Sequence, residues 1–180
     1  MTHRARLLTS LEGASWLPSG GRAEVVLAAP GDPAPAPVGL VRLLVDDDDG
    51  RLLCVPRTGG RPGVDLPTTA VTDGDTAAAL DRLTHAVLGQ ACETTLVGFV
   101  RNTVPEGVVY EWPSPVAHFT VHRPASSGVP PVVAGVWLHP VADADQLSER
   151  HWWPLVAVDP DLPGPTEDPA RRTELERHRR

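Results

Sequence analysis

The sequence predicts an α/β (α+β) domain, built as a central mixed β-sheet with helices on both faces. Three observations carry that reading. Strand-like apolar runs recur on both sides of one amphipathic helix. A second, shorter helical stretch follows the last of those runs. The chain has 180 residues, 41% of them hydrophobic and 22% charged, which suits one ordinary globular core and is short for two. Because each helix and sheet face has an apolar side to bury, helices stacked on both faces of the sheet are the natural packing solution.

The elements follow in order. Residues 1–20 form an amphipathic helix around Leu7, Leu8 and Leu11, closed by a Ser-Gly-Gly turn, so that residues 1–21 read as an N-terminal extension. Strand-like runs cover 23–29, 38–45 and 51–55, the last two joined by an Asp-rich hairpin turn ending in Gly50. Residues 57–74, dense in Gly, Pro, Thr and Asp, read as a long ordered loop. The helix at 75–88 is the clearest element. Asp75 or Thr76 can cap its start, Gly89 its end, and Leu80, Leu83 and Val87 form one apolar stripe. Four more strands are expected at 94–101, 108–112, 116–122 and 132–139, and a second helix at 142–151 leading into Trp152 and Trp153. The domain thus spans 22–157, and 158–180, rich in proline and then in charge, reads as a flexible tail.

Composition excludes several functions. A formal net charge of −7 argues against a nucleic-acid polymer as partner, since phosphate backbones call for a basic face. All 16 basic residues are arginine, there is no isoleucine, and Asn102 is the only asparagine, a pattern that fits a GC-rich genome. Cys54 and Cys92 lie in apolar runs without a CxxC motif and read as buried reduced thiols in a cytoplasmic protein. No apolar run reaches the ~18 residues of a membrane span, and no secretory h-region is present. Serine-hydrolase, P-loop and dinucleotide-binding motifs are also missing.

Three local patterns narrow the fold. RLLCVPR, a strand ending in arginine, is followed about ten residues later by LPTTAVTDGDT, which runs into the alanine-rich helix; downstream, GVWLHPVADADQL leads to WWPL. Their order resembles the Nudix hydrolase (MutT-like) family, where LPGGxVExGET precedes a helix carrying G-x5-E-x7-R-E-U-x-E-E-x-G-U. Leu66, Pro67, Val71, Gly74, Asp75 and Thr76 carry the likeness, which covers roughly 22–157. It implies an α/β/α sandwich with a mixed sheet, and in the family three helix glutamates hold magnesium or manganese against a diphosphate. Here the box is degenerate: Thr68 and Thr69 stand at the loop glycines, and every register places residues other than Asp or Glu at the three glutamate positions. Metal as a cofactor is therefore not expected, since hard divalent cations need oxygen ligands.

Two functions compete on this basis. One is a non-catalytic binder of a nucleotide-like or other anionic ligand, or of a protein partner. The other is a divergent hydrolase that cleaves a nucleoside diphosphate linked to another moiety, with magnesium or manganese held by groups such as Asp75, Asp81, His85 or Glu111. Arg57, Arg82 and His85 are the candidate ligand-binding residues, because arginine near a lost glutamate position can meet an anion directly. Arg61 can add to that field. His118 and His122 share a strand face about 13 Å apart, too far for one metal site, and Glu106 and Glu111 match no motif. Homodimer formation is an open expectation.

Overall fold

The computed structural model describes residues 4–126 and 128–157. Nine strands are β1 (Arg6–Glu12), β2 (Arg22–Leu27), β3 (Val38–Leu43), β4 (Leu52–Pro56), β5 (Val64–Asp65), β6 (Thr68–Ala70), β7 (Thr94–Thr103), β8 (Val116–Pro124) and β9 (Val136–Leu138). Three helices are α1 (Thr76–Leu88), α2 (Ala144–Leu147) and α3 (Trp153–Ala157). Six strands join in the order β1-β2-β7-β8-β3-β6, and β5-β4-β9 form a smaller sheet. The β3–β8 pair is parallel and the other pairs of the large sheet are antiparallel, so the sheet is mixed. The architecture is α+β around a central mixed sheet, as the pattern of elements predicts.

Alternation along the strands sorts the side chains into two cores. On one face Val41, Leu43 and Val45 meet Ala79, Leu83 and Val87 of α1. On the other, Val25, Val100, Phe119 and Val121 meet Leu147 of α2, Leu155 of α3 and Trp152 from the turn just before α3. Helix α1 starts where Asp75 Oδ1 accepts from the Ala78 N–H at 2.9 Å, and it stops at Gly89, whose φ of 73° closes a hydrogen bond to the His85 carbonyl. Leu80 is less buried than its stripe partners Leu83 and Val87.

Two glycines let elements approach the second face. A Cβ on Gly98 would collide with the Val26 carbonyl oxygen and with Leu155, so only glycine allows α3 down onto the sheet. At Gly39 the β3–β8 register slips by one residue, a bulge, and a Cβ there would lie 3.0 Å from the Trp112 ring.

Several expectations are corrected. Residues 6–12 form edge strand β1 rather than a helix, because their backbone pairs with β2; the sheet therefore reaches back into the segment read as an extension. The 57–74 loop contains β5 and β6, each held by only two or three ladder positions. Residues 108–112 pair with no strand, since Tyr110 and Trp112 turn onto the second core instead. Residues 132–139 keep only β9, and the helix expected over 142–151 is confined to α2, with α3 following. The tail at 158–180 lies outside the described residues. Among those residues no helix is long and apolar enough to cross a membrane.

Candidate ligand-binding cleft

The second core does not close completely. Between the sheet and the segment leading into α3 lies a cleft of about 780 Å³, within the range of roughly 300–1,000 Å³ usual for small-molecule sites. Its floor is the sheet: Leu40 and Arg42 from β3, Val100 and Asn102 from β7, and Phe119 from β8. Its walls come from irregular chain, including Tyr110 and Trp112, the end of β4 with Arg57, and Arg150 to Trp152. Trp16, from the connection between β1 and β2, adds a further piece by stacking on His151 with ring centroids 3.7 Å apart and planes 19° from parallel.

Arg42 dominates the electrostatics. It sits in the middle of an apolar strand, 9% exposed, with Asp65 3.7 Å from its Nε. Neither Nε nor Nη1 has a hydrogen-bond partner. Burial pulls the guanidinium below its usual pKa; Asp65 opposes that, and nearby Arg57 adds to it. Asp65 is itself engaged, because its Oδ1 accepts from the Trp152 indole at 2.6 Å and from the Leu66 N–H at 2.8 Å. Arg150 also lines the cleft and keeps a buried Nε without a partner. Glu111, Glu149 and Arg61 are exposed, so the deeper part of the cleft sets Arg42, Arg57 and Arg150 against the single carboxylate of Asp65. His151 is pushed down to about 4, first by burial and then by Arg42, and so stays neutral near pH 7.

The polar groups at the other end are different. Asn102, 4% exposed, donates through Nδ2 to the Tyr110 hydroxyl at 2.9 Å, while its Oδ1 is buried without a partner. Trp112 packs edge-on against Phe119, with centroids 5.4 Å apart, and completes an aromatic surface beside this pair. Such an arrangement offers unpaired donors at one end, an unpaired acceptor at the other, and flat apolar rings between them and the solvent.

Of the candidates drawn from sequence, Arg57 and Arg61 line the cleft. Arg82 and His85 are exposed on α1, which packs on the opposite face of the sheet, and they are absent from the lining. Asp81 is likewise exposed, and Asp75 is occupied as the cap of α1. Among the described residues no three His, Cys, Asp or Glu side chains gather as metal ligands. His118 contacts the Pro37 carbonyl at 3.1 Å through Nδ1 and accepts from Arg101 Nε at 3.3 Å, while His122 lies 3.0 Å from the Thr120 hydroxyl; both belong to the packing of the face opposite the cleft. Cys54 is buried, with its thiol pushed up to about 12 by desolvation, whereas Cys92 is only partly covered.

Arg42, Asn102, Tyr110 and Trp16 were not singled out as site residues by the sequence reading. For Arg42 a signal existed: one arginine inside the run VGLVRLLV, at a position whose neighbours two residues away are apolar. Trp16 carried none, because its place in the cleft depends on where a distant histidine falls.

No family model matches the chain, and neither does any curated protein. Among solved structures the chain is similar to a NUDIX hydrolase from Nitrosomonas europaea, at 14% sequence identity and a TM-score of 0.39, covering 79% of this chain and 89% of that one. At that distance the match names a similar chain and no more.

Proposed function

We propose that this chain is a Nudix-like domain that binds a nucleotide-like or other anionic ligand in the cleft, without a metal and without hydrolysing it. The observation that supports this best is Arg42. A guanidinium held in the floor of a cleft, offset only by Asp65 at 3.7 Å and with Nε and Nη1 lacking hydrogen bonds, while two further arginines line the same cleft, is costly to keep there without a second anion. A bound anion supplies the missing acceptors, and arginine suits phosphate because its planar fork can donate two parallel hydrogen bonds. The degenerate box supports the non-catalytic half of the reading. The residues at the three glutamate positions offer no carboxylate in any register, and among the described residues no three His, Cys, Asp or Glu side chains gather.

Calorimetric titration with pyrophosphate, ADP and ADP-ribose, in EDTA and then in magnesium, tests the proposal. Binding of at least one probe in EDTA is expected, and Arg42→Met should weaken it tenfold or more, since a charge-assisted hydrogen bond contributes about 1.5–3 kcal/mol. Binding that requires magnesium, or metal-dependent phosphate release that Asp81→Ala or His85→Ala abolishes, would establish the divergent hydrolase instead.

A further inference from the structure

The two rims of the large sheet are guarded unequally. At one rim β6 has only three residues, too few to template another strand well. At the other, β1 runs for seven residues without a proline and almost wholly exposed, with Leu7 and Leu11 55% and 48% open to solvent. An unpaired edge of that length, bearing leucines, is a surface that folded proteins normally cover.

Two alternations along β1 decide what can cover it. The Gly13 N–H bonds the Gly21 carbonyl at 2.8 Å, so that pair faces inward, and Ser10 and Glu12 turn their N–H and C=O groups outward. Leu8 is the extra residue of a bulge, which makes Leu7 the next to face outward. The second alternation is that of the side chains. Arg6, Thr9 and Leu11 lie opposite Leu27, Val25 and Ala23 and share the cleft side of the sheet with Leu8, whereas Leu7, Ser10 and Glu12 point to the other side.

We infer that β1 pairs with β1 of a second copy of this chain, antiparallel about a twofold axis, and so joins the two sheets into one. Setting Leu7 opposite Ser10 of the second copy keeps both alternations in step over the length of the strand. Leu8 then faces Thr9 of the second copy, and Arg6 faces its Leu11. That leucine arrives beside Leu8 at an open groove of about 390 Å³ between β1 and α3, walled by Trp153, Pro154 and Ala157. Charge favours the same direction of pairing. The segment opens with Arg4 and Arg6 and closes with Glu12, so an antiparallel partner lays its acidic end along the basic one. A second copy is otherwise repelled by a net charge of −7. Because the contact is isologous, it closes on itself and stops at two copies. The pairing is independent of what the cleft binds.

Sedimentation velocity on the full chain, from micromolar to millimolar concentration, tests it. A monomer–dimer equilibrium with no larger species is expected. Leu11→Arg alters an exposed side chain and sets arginine opposite arginine, so it should leave the circular dichroism spectrum unchanged and the chain monomeric throughout. Combining it with Arg6→Glu should restore the dimer, since opposite charges then face each other twice across the axis. A monomer at every concentration, or growth beyond two copies, overturns the inference on the unaltered chain alone. A dimer that survives Leu11→Arg overturns it too, as does a double variant that stays monomeric.

Discussion

Arg42 and His122 come from neighbouring strands and lie on opposite faces of the same sheet, and each keeps a titratable group away from water. Their fates differ because a histidine can shed its proton and an arginine cannot. His122 is 5% exposed, and burial pushes it down to about 4 from an ordinary 6.5. The unfolded chain therefore takes up this proton first as the pH falls. Stability associated with neutral His122 is complete above about pH 6.5, declines between 6.5 and 4, and is lost below that, in total about 3 kcal/mol. Urea unfolding measured across this interval should show the decline, and His122→Gln should flatten it; an unchanged slope in the variant would assign the effect to His118 or His151, which burial also pulls down. Individual residues were unevenly legible in the sequence. Arg57, a ligand-binding candidate from its position at a strand end, was among the residues that line the cleft. Arg82 was not, because which face of the sheet α1 covers is decided by tertiary packing.

Helix α1 was legible from its caps and stripe because those are local signals, complete within fifteen residues. Strand β1 was not. Its leucines at 7, 8 and 11 suit a helix, and only the backbone of β2 makes them extended, with Leu7 and Leu11 left 55% and 48% exposed. Strands β5 and β6 are too short to show a period. The most consequential single residue at this scale is Gly98, which follows the one-residue slip of β7 against β8 and lies where α3 settles onto the sheet. Gly98→Val should cost about 1–3 kcal/mol or more by overpacking. It should also lift α3 together with Trp152, whose indole is tied to Asp65 beside Arg42. Both losses can be read in one titration: a lower melting temperature and a weaker response to pyrophosphate. A variant that melts lower yet binds the anion with full affinity would separate α3 from the cleft.

For the whole molecule, the sheet and its helices follow from the alternation of apolar runs, but the cleft required segments that no local pattern links. Its floor comes from β3, β7 and β8, and its walls from stretches as distant in sequence as Trp16 and His151. That last contact gives the first twenty residues two roles, since the strand that forms the rim of the sheet also carries the turn that delivers Trp16. Removing residues 1–21 would strip β2 of one of its two partners and present a row of open N–H and C=O groups ending in Val25, Val26 and Leu27, a template for other chains. The shortened protein should therefore precipitate at concentrations the full chain tolerates, and whatever remains in solution should bind pyrophosphate less tightly. Light scattering beside calorimetry would measure the two together. Insolubility and lost recognition would then be one defect with a single origin, and a homologue missing this arm would have to guard its sheet and line its cleft by other means.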